Sequence, residues 1–141
     1  PIKRFVSFSF KDYVASLTSR PGFEDYMDQV PVQGEEMRDV FDGEFFQDFR
    51  GPDGKLFCSK SGPEGRYSFS LGLDFFNPLS NKQSGKKTSA GVISVVCLNL
   101  PIPLRYKPEN MFLAGVIPGP NEPPLTTINH YMTPIIDEFA D

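Results

Sequence analysis

Asp74 is the residue whose setting points most directly to chemistry. It lies in residues 66–78, Arg-Tyr-Ser-Phe-Ser-Leu-Gly-Leu-Asp-Phe-Phe-Asn-Pro, where apolar and small or polar positions alternate. Tyr67, Phe69, Leu71 and Leu73 fall on one side of an extended strand. Ser68, Ser70, Gly72 and Asp74 fall on the other. Asn77-Pro78 then breaks the run. The pattern predicts a carboxylate at the tip of a strand whose other face is buried. A strand end fixes such a group and leaves it open to solvent, as metal-dependent nucleic-acid chemistry requires. A second reading stands beside it. An Asp ahead of Asn-Pro commonly closes a turn through its own side chain.

Other polar groups are candidates for binding. Lys82, Lys86 and Lys87 lie in a polar segment after this strand, and Arg105 and Lys107 follow on a later loop. Together they are expected to meet nucleic-acid phosphates beside Asp74, with strongly salt-dependent binding; a solvated loop is the alternative. Residues 85–89 resemble a phosphate loop but fail it, because Ser80 stands at the first glycine and Lys87 follows the lysine. Asp39, Asp42, Glu44 and Asp48 read as the solvated faces of short helices. His130 has no nucleophile partner pattern, and Cys58 and Cys97 read as small core residues.

The composition narrows the field. With 141 residues, 14 Phe and no Trp, the chain can bury one core. Fourteen Pro and 12 Gly imply many loops. The net charge of -4 gives no global attraction to a polyanion, so any nucleic-acid role needs a local basic patch. Two Cys make no disulfide framework, and an intracellular, reducing compartment is the default expectation. No apolar run is long enough to span a membrane. The chain is expected to be a piece of a longer polypeptide.

The elements that must position Asp74 follow from periodicity. Phe10, Tyr13, Val14 and Leu17 have helical spacing, and Arg20-Pro21-Gly22 stops that helix. A short helix is expected over residues 23–27. Residues 36–49 suit one helix or two, divided at Gly43. Residues 55–59 read as a short strand after the turn at residues 51–54. Residues 92–100 and 111–117 read as two more strands, each closed by prolines. A final helix is expected to place Leu125, Ile128, Met132, Ile135, Ile136 and Phe139 on one face, with Pro134 kinking or ending its first segment. Three strands joined by short loops form an antiparallel meander, and a helix must cover one face. The expected class is α+β, with a helical and irregular segment over residues 1–61 and the sheet within residues 62–141.

Several blocks carry a family resemblance. They are Leu73-Asp74-Phe75-Phe76-Asn77-Pro78, Asn81-Lys82, Val96-Cys97-Leu98-Asn99-Leu100-Pro101, residues 105–113 and Ile117-Pro118-Gly119-Pro120-Asn121-Glu122-Pro123. In that order they resemble the transposases of CACTA (En/Spm-like) DNA transposons, above all copies from mushroom-forming fungi. Residues 19–22 and 39–44 share the likeness. The resemblance implies the three-stranded antiparallel start and first helix of an incomplete ribonuclease-H-like fold. It implies a cut-and-paste, DDE-type enzyme that cleaves and transfers DNA strands with Mg²⁺ or Mn²⁺. It further implies transposon-end DNA as partner, a homo-oligomeric complete protein and a nuclear location. Asp74 matches the first acid of the triad, and the other two are expected beyond Asp141. Phe75 stands where relatives commonly have Gly, so a bulky ring is expected beside the metal site. A decayed or domesticated copy, binding DNA or protein without catalysis, is the alternative. Either way the chain alone is expected to be inactive, because one Asp cannot hold two ions. The first strand is also expected to leave an unpaired edge.

Overall fold

The computed structural model of the chain describes residues 4–29, 36–59, 63–78 and 88–140. Its elements in order are β1 (Val6–Ser7), α1 (Phe10–Thr18), α2 (Phe23–Met27), a 3-10 turn (Val40–Asp42) and α3 (Glu44–Asp48). Then come β2 (Phe69–Phe76), β3 (Ala90–Cys97), α4 (Ile102–Arg105), a second 3-10 turn (Pro108–Asn110), β4 (Met111–Ile117) and α5 (Asn129–Ala140). The described residues thus form a mixed α/β structure with one antiparallel sheet, in the order β1-β4-β3-β2.

The expected meander is present as β2, β3 and β4. β-branched residues supply β3, which lies between β2 and β4 and fully buries Ile93, Val95 and Cys97 on its core face. β1 escaped the sequence reading because two residues carry no period. It pairs Val6 with Val116 and Ser7 with Gly115. The strand expected over residues 55–59 reduces to a single bridge, Arg50 to Leu56. Asp53 draws that segment into a turn by accepting from Lys55 N–H and from the Arg66 guanidinium.

One face of the sheet is the core. Ile93, Val95, Phe112, Ala114 and Ile117 are buried there, together with Ile135 of α5. Both α1 and α5 cover this face. Phe10 is the shared contact, with its ring centroid 4.4 Å from Phe139, 5.0 Å from Phe69 and 5.9 Å from Phe112. Its backbone N–H also donates to Glu138 Oε1 at 2.7 Å, so a carboxylate of α5 sits at the N-terminal end of α1. Tyr13 stacks on Phe112 and donates from its hydroxyl to Asn110 O at 2.7 Å. Leu17 and Met27 continue the core against Cys97 and Leu100. Helices α1 and α2, from the segment expected to be helical and irregular, therefore share their core with the sheet.

α5 runs through Pro134 to Ala140 without ending there. Proline lacks one N–H, and its would-be acceptor belongs to His130, an exposed residue whose carbonyl can turn to water. Two members of the expected apolar face fall off it. Leu125 precedes the helix and is exposed, and Ile136 lies about 100° round from the buried Ile135.

Candidate functional site

Asp74 stands on β2 opposite Val92, two residues before the strand ends. The strand continues because Phe75 and Phe76 pair with Gly91 and Ala90 before Asn77-Pro78 stops it. Asp74 is therefore near the strand end and not at its tip. Alternation puts its side chain on the face opposite the core, beside Ser70 and Gly72. The residue is exposed. Its Oδ1 accepts from Phe75 N–H at 2.8 Å. The other oxygen has no hydrogen bond to the described residues. One oxygen thus bonds the next residue's amide inside a continuing strand, which is not the bond of an Asx turn, and the residue as a whole is exposed.

The ring of Phe75 is elsewhere than expected. Alternation sends it to the core face, where it lies over Gly91. A bulky side chain at this position does not crowd Asp74. Phe76 shares the face of Asp74, and it is about half exposed. A shallow cleft of about 220 Å³ opens at this end of the sheet, lined by Phe75, Phe76, Asn77, Thr88, Ser89 and Glu122. Glu122 accepts from Ser89 Oγ at 3.1 Å, which holds the loop after β4 against the start of β3. The sequence reading passed over Glu122. Its setting in a proline-rich block was a signal for an ordered loop acid, but which strand end it joins was not readable.

The basic residues do not gather beside Asp74. Lys82, Lys86 and Lys87 lie outside the described residues. Arg105 is 3% exposed and belongs to the interior. Its Nη1 and Nη2 donate to Asp39 Oδ1 and Oδ2 at 2.7 and 2.6 Å. Nε donates to Leu100 O at 3.2 Å, and Nη2 also donates to Leu98 O at 2.5 Å. These bonds commit four of the five guanidinium hydrogens, and Arg105 is unavailable to a phosphate. Lys107 is exposed, but it precedes β4 at the end where Met111 faces Val96. From Val92 to Val96 is about 13 Å along a strand, so Lys107 belongs to the opposite end of the sheet from Asp74.

Asp39 is likewise not a solvated helix-face residue. It accepts from Val40 N–H at 2.6 Å, and Asp42 Oδ2 accepts from the backbone N–H groups of Arg38 and Asp39. The two acids close the 3-10 turn, and Arg105 pins that turn to the segment after β3. The Arg105 guanidinium holds the Asp39 carboxyl below its ordinary value of 3.8, against the opposing effect of burial. The carboxyl is thus easier to ionise in the folded chain. Its contribution to stability is complete above the ordinary value and is lost as pH falls through the lower folded-state value. Thermal unfolding followed from neutral to strongly acid pH should show a fall in Tm that begins near the ordinary value of 3.8 and continues below it. Asp39→Asn should flatten that limb of the curve.

A second cavity, of about 250 Å³, lies between α2 and the approach to β2, lined in part by Met27, Asp28, Cys58, Arg66, Tyr67 and Asn99. Burial pushes the Cys58 thiol up, so it stays protonated and is no nucleophile. Tyr67 donates to Asp28 Oδ1 at 2.8 Å, and its phenol is pushed up to about 12, chiefly by burial. The cavity has polar walls but no activated group.

Among the described residues no three His, Cys, Asp or Glu side chains converge to hold a metal ion. Asp74 can give one open oxygen to a hard divalent cation, which takes about six oxygen ligands. It fits as one ligand of a site completed by other groups. No helix of the described residues is long and apolar enough to cross a membrane. Compared with known proteins, the chain matches no family model, no curated protein and no solved structure.

Proposed function

We propose that the chain is the part of a DDE-type DNA transposase that carries the first acid, at the start of a ribonuclease-H-like core. The observation that supports this reading most is the setting of Asp74: an exposed carboxylate near the end of the first strand of an antiparallel meander, followed by a helix on the other face. In this reading Asp74 holds an Mg²⁺ or Mn²⁺ ion with acids from outside this chain. The ion supplies Lewis-acid polarisation of a phosphodiester. The chain's own contribution is to fix the carboxylate through the β2–β3 ladder and the Phe75 amide. Lys82, Lys86 and Lys87 fall in sequence between Phe76 and Ala90, and they are the DNA-contacting group in this proposal. Lys107 contributes at most a separate contact, and Arg105 none. Transposon ends in the nucleus are the substrate and setting.

A specific observation favours a second reading, a transposase-derived binding module without catalysis. One Asp74 oxygen is already committed to Phe75 N–H, and the described residues bring no second acid to it.

Paramagnetic Mn²⁺ separates the two once the acids from outside this chain are supplied. Amide resonances around residues 73–76 are expected to broaden on Mn²⁺ addition in the wild type and to stay sharp in Asp74→Asn. Duplex DNA binding is expected to weaken steeply with salt, and Lys82→Ala, Lys86→Ala and Lys87→Ala together should reduce that slope by about two to three. Salt-dependent binding without broadening favours the binding module. Absence of both removes the transposase reading. DNA cleavage by this chain alone would contradict the dependence on outside acids.

A further inference from the structure

We infer that β2 is a self-complementary docking edge, and that its occupant is β2 of a second copy of this chain. This does not rest on the proposed function, and it competes with it for Asp74, whose carboxylate would meet Ser70 of the second copy. Among the described residues β2 pairs with β3 alone, so its other side is an open edge. Leu71 and Leu73 are each 37% exposed there, although they point to the core face. Such an edge is a template for another strand.

The sequence of that edge reads almost the same in both directions. Residues 69–75 are Phe-Ser-Leu-Gly-Leu-Asp-Phe. About Gly72 the pairs are Leu71 with Leu73, Ser70 with Asp74, and Phe69 with Phe75. An antiparallel pairing across a two-fold axis at Gly72 sets each of these residues opposite its mirror partner. Leucine then meets leucine on the core face, beside two phenylalanine pairs. On the other face the Ser70 hydroxyl, a donor, meets the Asp74 carboxylate, an acceptor. Each facing pair is either apolar on apolar or donor on acceptor.

The backbone agrees with this register. Leu98 N–H donates to Ser68 O at 2.9 Å, continuing the β2–β3 ladder. Even-numbered residues of β2 therefore direct their backbone groups at β3, and Phe69, Leu71, Leu73 and Phe75 direct theirs outward. The hydrogen bond from Phe75 N–H to its neighbour's carboxylate fits an amide that faces away from β3. In the two-fold pairing Leu71 of one copy and Leu73 of the other exchange both bonds, and symmetry repeats the exchange, giving four about the axis, with Phe69 and Phe75 facing each other in the same way at either end. Gly72 then faces its own copy as a close, non-hydrogen-bonded pair, with Cα atoms about 4.5 Å apart. The contact is small beside a standard interface, so the dimer should be weak and dependent on concentration.

Two variants test it in solution. Gly72→Cys places a thiol on the exposed face, where an added Cβ meets nothing nearer than Ser94 Oγ at 3.5 Å. The expected Cα separation lies within disulfide range. In a Cys58→Ser background, mild oxidation should convert most of Gly72→Cys to a disulfide-linked dimer. Ser70→Cys should stay monomeric, because its copy lies about four residues away along the strand. Leu73→Pro removes an outward N–H and leaves the β3 ladder intact. By sedimentation the wild type should reach twice the chain mass with rising concentration, and Leu73→Pro should remain monomeric with unchanged circular dichroism. Should Leu73→Pro fail to fold, the cysteine pair decides alone. A wild type that is monomeric at every concentration, or equal cross-linking at positions 70 and 72, overturns the inference. So does a strand of the same polypeptide filling the edge, which would leave Gly72→Cys unlinked.

Discussion

Replacing Arg105 by Met is expected to lower the stability of the chain by about 3 kcal/mol. The change strips Asp39 of its bidentate partner and removes donors from Leu98 O and Leu100 O. Loss of one member of a buried ion pair costs about 3–5 kcal/mol. The lower figure applies here because the Asp39 side chain keeps 25% exposure and water can recover part of its solvation. Arg105→Lys should restore little, since an ammonium cannot make the planar fork or reach three acceptors at once. Urea midpoints read the effect, provided the slope is unchanged. Pairing Arg105→Met with Asp39→Asn should cost less than the sum of the two single changes. A phosphate-binding role for Arg105 predicts the reverse result, lost DNA affinity at constant stability.

The second large effect is expected at Gly91. A Cβ there would lie 2.6 Å from Phe75 Cε1 and 3.0 Å from Ile117 Cβ. Neither neighbour can retreat freely, because both belong to the packed core face. Gly91→Ala should therefore destabilise by about 2 kcal/mol, the usual cost of overpacking. Phe75→Leu alone should cost about 1–2 kcal/mol through the space it leaves. Combining the two should recover part of the loss, because the smaller side chain vacates the volume that the new methyl needs. This cycle also tests the direction of the Phe75 ring. If the ring lay beside Asp74, Gly91→Ala would be nearly neutral and Phe75→Leu would not rescue it.

Much of the framework was legible in the sequence. The spacing of Phe10, Tyr13, Val14 and Leu17 marked α1, and a β-branched run marked β3, which starts two residues earlier than read and stops at Cys97; the run closed by Pro118 marked β4, with bounds matching residue for residue. Gly43 did divide two short helical pieces. What alternation could also have shown is that Asp74 and Phe75, as sequence neighbours on a strand, must face opposite ways. Tertiary partners were not legible. Nothing in the order of residues said that Arg105 would meet Asp39 across 66 positions, or that Arg20 would donate to Asn110 Oδ1 across 90. Charge alone made Arg105 look like a surface cation, and burial reversed that. Lys107 was misplaced for a related reason: adjacency of loops in sequence does not fix which end of a sheet they join. The acid on β2 was found because a two-residue period is local. The open edge beside it was anticipated from topology, but its near-palindrome has meaning through the hydrogen-bond parity of the ladder.

The bond from Phe10 N–H to Glu138 joins residues 128 positions apart, and Phe139 lies against the Phe10 ring at the same place. During synthesis the aromatic surface of the sheet must therefore wait, only partly covered by α1, until α5 has left the ribosome. Contacts of such long range make closure slow and leave the nascent chain adhesive in the interval. Production in cells should thus depend on chaperone supply and growth temperature more than the equilibrium stability of the finished molecule would suggest.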